Sequence, residues 1–94
     1  MTSQENITSL LKAVLSLKNE DEVQRFIDDL CTPKEIHSFT ERWAIARLLH
    51  EGQMNYRDIA SKTGASTATV TRVARFLNQE RNKGYKIILE RMGE

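Results

Sequence analysis

Apolar residues recur every three or four positions along most of this chain, and each run stops at a residue suited to ending a helix. Ile7, Leu10, Leu11, Val14 and Leu15 form the first stripe, so the spacing predicts an amphipathic helix from Ser3 or Gln4 to Leu17, broken at Asn19. Asn19 in turn suits the cap of a second helix, with Glu20, Asp21 and Glu22 in its first turn and Val23, Phe26, Ile27 and Leu30 on one face. Cys31 is read as the small buried residue that ends it. Thr32, Pro33 and Glu35 then make a start signal: a capping hydroxyl, a first-position proline and a carboxylate that reaches back to the cap.

The third helix is expected to run to about Glu51 and to stop at Gly52, with His50 in its last turn. Ile36, Phe39, Trp43, Ala46 and Leu49 line one stripe, and Ile45 and Leu48 another. A helix apolar on more than one side is normally central, and a chain of 94 residues has few elements to cover it. Together with the leucine-rich first helix, this predicts packing against a second copy in an all-α homodimer.

Residues 56–75, YRDIASKTGASTATVTRVAR, carry an Ala-x3-Gly-x5-Val spacing at Ala60, Gly64 and Val70. Two helices crossing at a tight turn need a small residue where they approach, a residue tolerant of positive φ in the turn, and an apolar anchor on the second helix. Ile59 and Val73 fall on the same inward side, so the pattern predicts a helix-turn-helix. Its first helix covers 56–63, and its second, capped by Ser66, reaches about Asn78. A polar stretch at 78–82 and an interruption at Gly84 follow. Tyr85, Ile88, Leu89 and Met92 then mark a short final helix expected to close over the dimer core. The whole is read as one domain, with dimerisation helices over 1–52, the helix-turn-helix over 56–78 and the C-terminal helix over 85–92.

Net charge is only +1, but it is unevenly spread. Four basic residues face eight acidic ones before Arg42, and ten face five from Arg42 onward. That asymmetry fits an assembly half followed by a phosphate-facing half. The first residues lack the basic start and continuous apolar core of a signal peptide, and no stretch approaches the roughly 20 apolar residues of a membrane span. A cytoplasmic location with no membrane partner is expected. Cys31 is the single cysteine, which excludes an internal disulfide. His37 and His50 have no partner ligands, and no nucleophile with a base or phosphate loop appears, so no catalytic residue, metal or cofactor is expected.

Residues 30–78, LCTPKEIHSFTERWAIARLLHEGQMNYRDIASKTGASTATVTRVARFLN, resemble the central segment of the tryptophan repressor superfamily, and in particular its Trp-repressor-related YerC/YecD group of small bacterial regulators. The resemblance rests on the Thr32-Pro33 helix start, Arg42 inside the third helix, the Gly52-x-Met54 stretch and the Ala-Thr-x-Thr-Arg run at 68–72. It implies six helices, an intertwined homodimer and a recognition helix that enters the major groove. The two arginines that hold a corepressor tryptophan in the best-known member match Arg42 and Arg72, and with Thr32 they are the candidate effector-binding residues. A guanidinium pair suits any carboxylate or phosphate. The chain departs from that member at Val73, where it has a glycine, and at Phe76, where it has a serine. Both changes add bulk, so tryptophan is not expected as ligand; Val73 and Phe76 are read as a built-in wedge that sets the reading head.

On this reading Ser66, Thr67, Ala68, Thr69 and Thr71 bring the second helix close to base edges. Arg57 and Arg72 contact guanine or phosphate, while Lys62 and Arg75 meet phosphate. Arg72 therefore has a double claim, on DNA and on an effector. Short polar side chains favour readout through water and DNA shape, and two heads of a dimer would lie about 34 Å apart on a pseudopalindromic site. The function expected is that of a sequence-specific DNA-binding transcriptional regulator, a repressor. The rival is a helix-turn-helix used only to bind another protein.

Overall fold

The computed structural model describes residues 2–79 and 81–93. Glu80, within the polar stretch expected at 78–82, lies outside the described residues, as do Met1 and Glu94. Among the described residues six helices follow one another: α1 (Ser3–Leu15), α2 (Glu20–Leu30), α3 (Pro33–Glu51), α4 (Tyr56–Thr63), α5 (Thr67–Asn78) and α6 (Gly84–Arg91). No strand occurs among the described residues, so the fold is all-α. The chain divides into two compact units, Met1–Ile36 and His37–Glu94.

Capping side chains set most helix starts. The Thr2 hydroxyl accepts from the Glu5 N–H at 3.1 Å and the Asn19 side-chain Oδ1 from the Glu22 N–H at 2.9 Å. The Glu22 carboxylate accepts in return from the Lys18 N–H at 2.9 Å. Helix α1 stops at Leu15 rather than Leu17, because the Ser16 hydroxyl donates to the Ala13 carbonyl at 2.7 Å and its N–H folds back on the Lys12 and Ala13 carbonyls. Such local bonds compete with helix propagation. Cys31 ends α2 as expected, in extended conformation, but is half-buried rather than buried. Neither α1 nor α2 buries a single residue fully, and Leu15 is 84% exposed. Both stripes read from the sequence thus present apolar surface.

Thr32 and Glu35 form the capping box that starts α3. The Thr32 N–H donates to the Glu35 carboxylate at 2.8 Å, and the Glu35 N–H donates to the Thr32 hydroxyl at 3.1 Å. The Thr32 backbone and then its side chain hold the Glu35 carboxyl below its ordinary pKa, a small desolvation opposing them.

The second unit is built on a core of Ile45 and Ala46 from α3, Ile59 and Ala60 from α4, and Val70 and Val73 from α5. Trp43, Leu48, Leu49, Met54, Ala65 and Tyr85 pack around it. Ile45, Ile59, Val70, Val73 and Leu89 are fully buried, each worth roughly 1.5 to 3 kcal/mol relative to exposure. Both stripes of α3 contribute here, although Phe39 stays 47% exposed. The final helix docks through Leu89 and through Tyr85, whose ring stacks on Trp43 at 6.4 Å between centroids and 21° between planes. Ile87, Ile88 and Met92 remain exposed.

The break before α6 falls one residue earlier than the sequence implies. Lys83 holds the left-handed conformation, with φ 58° and ψ 18°, and Gly84 is already the first helical residue. A Cβ at Gly84 would meet open space, so neither φ nor crowding requires glycine there.

Candidate nucleic-acid interface

Helices α4 and α5 meet at the turn 64–66. Asn55 caps α4, its side-chain Oδ1 accepting from the Asp58 N–H at 2.8 Å. Gly64 closes the helix in the left-handed conformation, φ 77° and ψ 6°, and its N–H reaches the Ala60 carbonyl at 2.9 Å. That geometry is the one a glycine accommodates without strain. Thr63 braces the turn: its hydroxyl donates to the Ile59 carbonyl at 2.8 Å and accepts from the Ala65 N–H at 3.3 Å. Ser66 then caps α5, accepting from the Thr69 N–H at 3.1 Å.

Along α5 the two faces separate cleanly. Val70, Val73, Ala74 and Leu77 are buried, while Thr67, Ala68, Thr71, Arg72 and Arg75 are exposed. Positions three and four apart share a helix face, so these exposed residues form one polar stripe opposite the core. Within it Thr67 and Ala68 stand at the first turn, beside the capping Ser66. The hydroxyls of Thr69 and Thr71 are engaged locally. Thr69 lies 3.0 Å from the Ser66 hydroxyl, and Thr71 donates to the Thr67 carbonyl at 2.9 Å. Both threonines can still offer a methyl group or a lone pair. Arg57 is exposed in the first turn of α4. Lys62 lies elsewhere, on a groove of about 480 Å³ between α3 and α4 that also contains Glu41, Arg47 and Glu51.

A second groove, of about 390 Å³, opens between α3, α5 and α6. Arg42, Arg72, Phe76, Asn82, Gly84, Tyr85 and Ile88 line it. The two candidate effector arginines thus line one groove. Thr32, the third candidate, is engaged in the capping box at the start of α3. Of the two wedge residues, Phe76 forms part of the groove wall, but Val73 does not line it: Val73 is fully buried in the core. Position 73 turns about 100° away from Arg72 around the helix and faces inward with Val70 and Leu77, whereas position 76 returns to the side of Arg72. The groove is open at its surface, at the small end of the volumes typical of ligand sites.

Both groove arginines lie against aromatic rings of their own helices. The Arg72 guanidinium carbon is 4.5 Å from the Phe76 centroid, that of Arg75 is 5.2 Å from the same ring, and that of Arg42 is 5.7 Å from Phe39. These distances fall within cation–π range. Phe39 and Tyr85 were not singled out from the sequence as site residues. The Arg42–Phe39 and Arg72–Phe76 spacings were visible signals for such pairs, but the approach of Tyr85 to the groove depends on tertiary folding.

No group of three or more His, Cys, Asp or Glu able to hold a metal is found among the described residues, and His37 pairs with Glu41 at 3.6 Å along α3. No described helix is long and apolar enough to cross a membrane.

The uncharacterized protein YerC of Bacillus subtilis (strain 168) is 47% identical over 88 residues, covering 94% of this chain and 83% of YerC. A crystal structure of a TrpR-like protein from Eubacterium eligens ATCC 27750 superposes with a TM-score of 0.87 at 47% identity, over 95% of this chain and 90% of that one. A second, of a proposed Trp repressor from Staphylococcus aureus, gives a TM-score of 0.85 at 39% identity, over 95% of this chain and 87% of that one. The sequence profile of the Trp repressor protein family matches residues 5–93, nearly the whole chain, and on that match the chain belongs to the Trp repressor protein family.

Proposed function

We propose that this chain is a sequence-specific DNA-binding transcriptional regulator, a repressor, that works as a homodimer in the cytoplasm. The observation that carries this reading is the division of α5 into a buried apolar face and an exposed stripe of short polar and basic residues, beginning at a capped N-terminus. A helix presented in this way by a braced turn fits the major groove. Arg57, Arg72 and Arg75 add exposed positive charge on the same two helices, suited to phosphate. Family membership and similarity to a proposed Trp repressor support the same reading.

The dimer is supported by apolar surface left uncovered in the single chain. Ile7, Leu10, Leu11 and Val14 on α1, Val23 and Leu30 on α2, Ile88 on α6 and Met92 just after it are all more than a third exposed. So many large apolar side chains exposed on a small chain favour a partner surface that covers them. Helices α1–α3 would form most of it, each subunit presenting one helix-turn-helix. A gel-shift titration against genomic fragments at increasing salt, paired with sedimentation equilibrium, tests both parts. Sequence-selective, salt-sensitive retardation by a dimer supports the proposal. A dimer that retards no DNA even at low salt would instead act as a protein-binding adaptor.

A further inference from the structure

The groove between α3, α5 and α6 brings together two guanidinium groups, and among the described residues that line it none is a carboxylate. An aromatic ring offers such cations a negative face without neutralising them. The chain supplies that ring itself. Phe76 forms part of the groove wall, Arg72 stacks on it at 4.5 Å, and Arg75 approaches it at 5.2 Å. Tyr85, also in the lining, is stacked on Trp43 of α3, so the surrounding wall is tied to the core.

Resting on the DNA-binding reading above, we infer that Phe76 is a positioning residue that sets the reading head without any small-molecule effector, by holding Arg72 on the groove side of α5. Arg72 is drawn toward the C-terminal end of its helix, away from the first turn. Thr67 and Ala68 are thereby left as the leading edge toward the bases, and Arg72 serves orientation and phosphate attraction. The aromatic partner of the arginines is covalently part of the recognition helix, so its effective concentration does not vary with metabolism. The regulator is then always competent to bind DNA, and its control lies in the amount of protein or in a partner.

The test uses the full chain after exhaustive dialysis, with a DNA site selected from a random pool by that same preparation. Binding is followed by fluorescence anisotropy with and without added tryptophan or indole-3-propionate, for the wild type, Phe76→Tyr, Phe76→Leu and Phe76→Ala. The wild type and Phe76→Tyr are expected to bind alike and to ignore the indoles. Phe76→Leu, which keeps an apolar side chain but lacks the ring, and Phe76→Ala should each bind about tenfold more weakly. If Phe76→Ala fails to fold, the Leu and Tyr variants decide the matter alone. Wild-type binding that appears or strengthens only with an added indole would overturn the inference, as would Phe76→Leu binding as tightly as the wild type. Either result leaves DNA binding itself standing. A pool from which the wild type retains no DNA, with or without the indoles, removes both the inference and the reading beneath it.

Discussion

The guanidinium of Arg72 stacks on the ring of Phe76, one helical turn further along α5, at 4.5 Å from guanidinium carbon to ring centroid. This contact gives Arg72 a place in the groove shared with Arg42 while leaving it exposed. Arg72→Ala should therefore weaken DNA binding without changing which bases are preferred, whereas Thr69→Ala should alter base preference. Arg57→Ala should lower affinity and reduce the slope of log K against log salt by about one. Binding isotherms at several salt concentrations, on the selected site and its single-base variants, check all three. Unchanged binding for both Arg57→Ala and Thr69→Ala would mean that the reading face has been misassigned.

Gly64 carries the turn of the helix-turn-helix at φ 77°, and a Cβ there would point into open space. The cost of Gly64→Ala is then backbone strain with no steric clash, about 1 kcal/mol of stability. Ser66→Ala removes the α5 cap and should cost a similar amount, about 1 kcal/mol. Urea denaturation of the two variants at fixed protein concentration measures both losses. A Gly64→Ala protein as stable as the wild type would contradict the turn geometry.

Lys83 is the sole non-glycine residue with positive φ among those described. Lys83→Gly should relieve that strain and stabilise the chain by up to about 1 kcal/mol, after the added freedom of glycine in the unfolded state is offset. Thermal melting of the variant beside the wild type tests this, and a lowered melting temperature would count against it.

The carboxyl of Glu35 is held below its ordinary pKa by the Thr32 N–H and hydroxyl. A group whose folded-state pKa is depressed contributes stability that is fully present above its unfolded-state pKa and is lost as pH falls through its folded-state value. The wild type should therefore be more stable than Glu35→Gln at neutral pH, with the difference fading as the solution is acidified through and below the ordinary glutamate range. Urea midpoints of both proteins across that range provide the check. A difference that grows on acidification would contradict the sign.

Much of this architecture was legible because its helix ends are chemically marked. Asn19, Thr32 with Pro33 and Glu35, Gly52, Gly64 and Ser66 each stand where a local bond or a left-handed residue starts or stops a helix. The errors lie where two signals competed. At Ser16 a hydroxyl turned back on the helix ahead of the predicted stop, and at the start of α6 lysine, not the adjacent glycine, took the left-handed conformation. In the groove, the shared face of Arg72 and Phe76 follows from their four-residue spacing. The placement of Val73 beside them does not, since helical rotation sends it to the core. The stacking of Tyr85 on Trp43 joins distant parts of the chain, and nothing local in either segment announces it.

Selection of bound sequences from a random double-stranded DNA pool by the dialysed full-length protein tests the central claim most directly. The predicted result is enrichment of a pseudopalindrome whose half-site centres lie roughly one helical turn apart, about 34 Å, retained at low salt and released as salt rises. A final pool with no enriched sequence, recovered from protein shown to be folded and dimeric, would contradict it.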